Sequence, residues 1–178
     1  VLAGKHRANF VVDPYQAGAG TSHNMNINEV LANRANEILG GNRGDYKPVH
    51  PNDHVNMTQS TNDVIHTSIR LGALTELPAF TKAFENLIGA FETKGKEFDG
   101  VMKSGRTHLQ DAMPIRLGQE LTAYAGSLRR SLKRVVEAAD YPRGLGIGGG
   151  AVGTGVNVEP PYPALMVREL AKSARGEL

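Results

Sequence analysis

The sequence predicts a mainly α protein in which part of a mixed N-terminal domain is followed by the long helices of a bundle. Two apolar stripes and one change of composition carry that expectation. From Asn62 onward, Ile65, Ile69, Ala73, Leu77, Phe80, Phe84, Leu87 and Phe91 recur every three or four residues, which marks one face of a long amphipathic helix. Ile115, Leu117, Leu121, Ala125, Leu128, Leu132 and Val135 form a second stripe close to heptad spacing. Helices of this length belong to bundles, not to the short crossovers of an α/β sheet. Before residue 62 the character differs: Pro14, Pro48, Pro51 and many Asn residues interrupt any long period. A boundary is therefore expected there, with a mixed region over 1–62 and a helical region over 63–178.

Taken in order, the mixed region holds one convincing helix, from about Asn28 to Leu39, with Val30, Leu31, Ala35 and Ile38 on its apolar face and Gly40-Gly41 as its stop. Pro78 should kink or restart the first long helix. Pro114 sits where a first-turn proline of the second belongs. The glycine-rich run from Gly144 to Gly155 ends that helix, and a third is expected to start near Tyr162-Pro163-Ala164 and run to the end of the chain. The sequence opens on Val1-Leu2-Ala3 without Met and closes in apparent helix, so we expect a piece of a longer protein. At 178 residues it is long enough for one domain with a sizeable core.

The net charge is +2, from 20 basic and 18 acidic residues, too balanced to argue for a nucleic-acid or membrane surface. Arg129-Arg130-Ser131-Leu132-Lys133-Arg134 interrupts an apolar stripe and reads as a solvated helix face. The absence of cysteine excludes disulfides, thiolate metal sites and cysteine nucleophiles. No apolar run reaches the length of about 20 residues that a membrane helix needs, and no cleavable signal pattern is present. A cytoplasmic protein is expected.

Three polar clusters stand out against this helical background. Ser104-Gly105-Arg106-Thr107-His108-Leu109-Gln110-Asp111 crowds a cation, a hydroxyl, an imidazole, an amide and a carboxylate, as a loop converging on a small polar or anionic ligand would. His108 is its one group able to move a proton near neutral pH. Gln59-Ser60-Thr61-Asn62-Asp63 precedes a long helix and supplies more cap-type residues than one N-cap uses; the surplus would receive a carboxylate or phosphate at the positive helix end. Gly18-Ala19-Gly20-Thr21-Ser22 reads as a turn, with Thr21 and Ser22 as ligand contacts. The following Asn24, Asn26 and Asn28 read as scaffold that binds backbone and caps the helix. His50 and His54 lack a second ligand cluster, so no metal is expected. Gly148-Gly149-Gly150-Ala151-Val152-Gly153 fits the dinucleotide pattern G-x-G-x-x-G, yet no strand precedes it, and a loop at a bundle end is the expectation.

Together these segments resemble the aspartase/class II fumarase branch of the fumarate lyase superfamily. The resemblance rests on Gln16 to Ser22 with Asn24-Met25-Asn26, His50 to Asn56, Gln59 to Asp63, Gly105 to Ala112 and Gly150 to Asn157, in the family's order. Gln16-Ala17-Gly18-Ala19-Gly20-Thr21-Ser22 and Gln59-Ser60-Thr61-Asn62-Asp63 have the form usual in aspartases, whereas His50-Pro51-Asn52-Asp53 is similar to a fumarase segment that forms a secondary dicarboxylate site. The resemblance implies a fumarate-lyase-type helical bundle and reversible anti-elimination of ammonia from L-aspartate to give fumarate, without metal or organic cofactor. It places Thr21, Ser60 and Thr61 on the substrate β-carboxylate, while Ser22 stays a substrate contact. It places Asn62, Thr107 and His108 on the amino-group side, with Thr107 and His108 as catalytic residues, and His50, Asn52 and Asp53 at the secondary site. A homotetramer with active sites shared between subunits is also implied. The family's serine base and carboxylate-binding lysine lie on a flexible loop with no counterpart here, so this chain alone is expected to be inactive. Class II fumarase and a non-catalytic structural member of the superfamily are the alternatives.

Overall fold

The computed structural model describes residues 1–15 and 19–174. Gln16, Ala17 and Gly18 of the first glycine segment lie outside the described residues. Helices α1 (Thr21–Ile38) and α2 (Thr61–Glu97) are followed by a hairpin of strands β1 (Met102–Thr107) and β2 (Gln110–Arg116), then by helices α3 (Leu117–Ala138) and α4 (Tyr162–Ser173). Short turns at Arg7–Asn9, Pro51–Val55 and Tyr141–Arg143 complete the order. The chain groups into two compact units: Val1–Leu71 with Leu145–Leu178, and Gly72–Gly144.

In the first unit α1 begins at Thr21, well before the expected Asn28. Polar Thr, Ser, His and Asn residues fill its first turns, and apolar periodicity does not register them. Asn24, Asn28 and Asn36 are nevertheless buried on it, because each amide finds partners. The helix ends as expected at Gly40-Gly41: the Gly41 amide donates to Asn36 O at 2.8 Å and the Gly40 amide to Glu37 O at 3.2 Å, a Schellman closure. Asn36 donates to Val49 O at 2.9 Å and accepts from Val49 N at 2.8 Å, so one side chain stands in for a strand partner and ties the Pro-rich return segment to α1.

The second unit holds most of α2, which passes through Pro78 as one continuous helix and neither restarts nor ends there. α3 lies against it: Phe91 meets Tyr124 edge-on with ring centroids 5.8 Å apart, and Arg129 donates to Glu92 at 2.6 Å. The expected loop before α3 is instead a β-hairpin. Pro114 and Ile115 belong to β2, and α3 starts at Leu117 with Arg116 as its N-cap and Gln119 accepting from the Arg116 amide at 3.0 Å. Pro114 is therefore a strand residue, tolerated where no neighbouring strand needs its amide.

α4 starts at Tyr162 as expected and closes at Ser173, where the Ala174 amide donates to Leu170 O at 2.8 Å. The buried apolar set among the described residues is small: Ala32, Leu74, Ile88 and Ala125. The sizeable core expected from length is not found among the described residues. Ile69, Phe80 and Leu87 of the α2 stripe stay exposed. Among the described residues no helix is long and apolar enough to cross a membrane.

Candidate active site

Two helix starts build the candidate site in the first unit. Gly20 takes φ 81°, and a Cβ there would stand 2.8 Å from Ile65 Cγ1. Only glycine lets the start of α1 turn and lie this close to α2. It also offers no side chain to cap the first turn, which leaves the amides beside Thr21 and Ser22 for an external acceptor.

α2 begins differently. Ser60 is its N-cap: its carbonyl accepts from Val64 N at 3.0 Å and its Oγ from Asn62 N at 3.2 Å. Asp63 reaches back to accept from Ser60 N at 3.0 Å, giving a reciprocal cap of the Ser-x-x-acid kind. Thr61 Oγ1 accepts from Asn24 Nδ2 at 3.1 Å, and the same amide also donates to Asn56 Oδ1 at 3.1 Å, which Asn28 shares at 3.0 Å. The Ser60 and Thr61 hydroxyl oxygens thus already accept from the protein, and each keeps a proton to donate. Asn62 Nδ2 donates to Ala151 O at 2.6 Å.

Thr21, Ser22, Thr61 and Asn62 line one cleft of about 650 Å³, together with His23, His66 and the apolar side chains of Ile27, Ile65 and Ile69. Four of the expected contacts therefore meet, while Ser60 caps α2 and is not in the lining. The positive ends of α1 and α2 both open on this cleft, an environment that favours an anion. His23 and His66 were not foreseen. His66 follows Asn62 by one helical turn on the same face, and that spacing was the available signal. His23 was hidden in the Asn-rich run.

The sequence predicts Asp63 only as a member of the cap cluster, and in the structure it does more. It is 4% exposed, and its Oδ2 accepts from Gly148 N at 2.8 Å and Gly150 N at 3.2 Å. The G-x-G-x-x-G segment is accordingly a loop folded onto a side chain of α2, as its lack of a preceding strand implied. Gly148 has φ 86°, and a Cβ there would meet Pro163 Cβ at 2.8 Å, so glycine is required on both counts.

Thr107 and His108 belong to the second unit, at the tip of the hairpin. Thr107 pairs with Gln110, and Arg106 with Asp111, in an antiparallel register; Arg106 Nε donates to Asp111 at 3.1 Å. His108 and Leu109 form the turn, with φ 50° and 61°, the positive pair that a two-residue hairpin turn requires. The imidazole is thereby presented on an exposed tip.

His50, Asn52 and Asp53 lie together at the π-type turn Pro51–Val55. His50 Nδ1 accepts from Asn52 N and Asp53 N, both at 3.2 Å, so its ring proton sits on Nε2. The Asp53 carboxylate approaches the same nitrogen at 3.5 Å. His54 Nδ1 accepts from His50 N at 2.9 Å. A smaller hollow of about 240 Å³ is lined by His6, Glu29, Arg34, Glu37 and Arg43. Arg34 and Arg43 hold the Glu37 carboxyl below its ordinary value, so the charges there are spent on one another.

Comparison with known proteins identifies the family of the chain. A family model described as "Lyase" matches residues 1–176. The chain is 50% identical over 171 residues to an aspartate ammonia-lyase of Bacillus subtilis, covering 96% of this chain and 36% of that protein. It is 49% identical over 164 residues to a class II fumarate hydratase of Halobacterium salinarum, covering 92% of this chain and 35% of that protein. A solved structure described as fumarate lyase:delta crystallin from Brucella melitensis bound to cobalt superposes with a TM-score of 0.85 at 50% identity, over 99% of this chain and 38% of that one. The chain thus spans little more than a third of the proteins it matches.

Proposed function

The chain belongs to the lyase family that matches residues 1–176, and on that premise we propose that the whole protein is an ammonia-lyase converting L-aspartate reversibly to fumarate and ammonia. One observation carries the reading: Thr21, Ser22, Thr61 and Asn62 line a single cleft at the adjoining starts of α1 and α2. A dicarboxylate needs such a receptor. Abstraction of the proton beside the β-carboxylate puts a second negative charge on that group, and fixed donors aimed at its oxygens lower the barrier. Thr21, Ser60 and Thr61 take that role, Ser22 beside them. Asn62, Thr107 and His108 serve the amino-group side, with His108 suited to proton transfer there. His50, Asn52 and Asp53 form a secondary dicarboxylate site. A cytoplasmic homotetramer with active sites shared between subunits, in which 63–178 begins the central bundle, completes the proposal.

Hydration of fumarate to L-malate is the second reading, favoured by the 49% identity to a class II fumarate hydratase. Offering the whole protein L-aspartate and L-malate separately, while following fumarate absorbance, decides between them. Turnover of L-aspartate is expected. Turnover of L-malate alone makes the protein a fumarase, and inertness toward both leaves a structural member of the family. The 178-residue chain by itself is expected to release no ammonia, and release would overturn the need for a base from elsewhere.

A further inference from the structure

We propose that Asp63 is a positioning residue: its carboxylate latches the glycine loop to the start of α2 and so sets Asn62 in the cleft. The chain of contacts is short. Oδ1 accepts from Ser60 N at 3.0 Å, while Oδ2 accepts from Gly148 N at 2.8 Å and Gly150 N at 3.2 Å. The next residue of that loop, Ala151, offers its carbonyl to Asn62 Nδ2 at 2.6 Å. One buried carboxylate therefore fixes both the backbone from which Asn62 springs and the acceptor that turns its amide. Burial of a charge is tolerable here because each oxygen is hydrogen-bonded.

An N-cap alone does not call for this arrangement. A capping acid needs only the Ser60 amide, and that single contact would be served by an exposed side chain. Asp63 is 4% exposed instead, and it spans 85 and 87 residues of sequence to reach the two glycines. Alanine at this position would remove both acceptor oxygens, so the Gly148 and Gly150 amides would lose their partner and the loop would come free, while α2 kept its cap from Ser60 Oγ.

The test has one arm that is independent of the dicarboxylate reading and one that rests on it. In the unsubstituted whole protein the Gly148 and Gly150 amides should exchange hydrogen as slowly as that of Val64 in α2; exchange at the rate of an open loop overturns the latch without any variant. In Asp63→Ala, exchange over 146–157 should accelerate about tenfold to a hundredfold, with α1 unchanged. No acceleration, or an equal acceleration throughout α1, rejects the proposal.

The kinetic arm is a double-mutant cycle in turnover of L-aspartate. Asp63→Ala should lower kcat about tenfold or more with little change in KM, and Asn62→Ala should cost markedly less in that background than alone, because the first change has already released Asn62. Losses that simply multiply would show that Asp63 does not act through Asn62. If neither L-aspartate nor L-malate is turned over, the functional reading fails, and hydrogen exchange still decides the latch.

Discussion

Single side chains carry an unusual share of this structure, and asparagine carries most of it. Asn36 is fully buried and answers both the N–H and the C=O of Val49. Replacing it by alanine strands two backbone groups as well as opening space, so Asn36→Ala should destabilise the first unit by about 2 to 4 kcal/mol. Urea unfolding followed by circular dichroism measures this, and a loss under about 1 kcal/mol would mean that water replaces the amide. The same logic explains the cleft. Asn24 donates to Thr61 Oγ1 and, with Asn28, to Asn56, so a buried amide network orients the hydroxyl that the ligand would meet. The alternate spacing of Asn24, Asn26 and Asn28 marked them as scaffold, yet Asn24 and Asn28 bond side chains from within α1, where backbone partners and a cap before the helix were expected. Which hydroxyls they orient was not legible, because the partners lie 28 to 37 residues away.

Elements were legible where apolar period and length agreed, and illegible where polar residues did structural duty. The stripes of α2 and α3 announced long helices, and Gly40-Gly41 announced the end of α1. The start of α1 was missed because its first turn is Thr, Ser, His and Asn. The hairpin was missed because Ser104 to Asp111 has a ligand-like composition and neither residue of its turn is glycine. Its two-residue turn instead uses His108 and Leu109 at φ 50° and 61°. A left-handed conformation costs a non-glycine residue about 1 to 2 kcal/mol, and Leu109, 92% exposed, recovers little of that cost through packing in this chain. Leu109→Gly should therefore stabilise the hairpin unit by about 1 kcal/mol, read as a higher midpoint in urea. An unchanged or lower midpoint would indicate that the leucine side chain makes contacts in the assembled protein that outweigh the relief. Strain of this kind next to His108 fits a turn chosen to display an imidazole and not to minimise its own energy.

At the scale of the whole molecule, apolar burial is thin: Ala32, Leu74, Ile88 and Ala125 are its buried apolar residues among those described. Stability then depends heavily on polar groups and on how well each is paired, which makes an unpaired one conspicuous. The Tyr162 hydroxyl is buried without a hydrogen-bond partner. Desolvation, and secondarily the nearby Asp63 carboxylate, push its pKa up to about 12 from an ordinary 10.0. In the unfolded chain the phenol ionises near its ordinary value, whereas in the fold it stays protonated until about pH 12. The stability associated with keeping the proton is therefore fully present below about pH 10 and is lost as pH rises toward 12. Exposed Tyr46 and Tyr124 are also raised, by Glu29 and Glu120 respectively, so the loss must be read as a difference between variants. Tyr162→Phe should match or slightly exceed the parent in stability near neutral pH, since it deletes an unpaired hydroxyl. It should also lose less stability between about pH 10 and 12. Chemical denaturation of both proteins across that range measures the gap. Parallel curves would mean that solvent reaches the phenol and that the fold around α4 opens more readily than its burial implies.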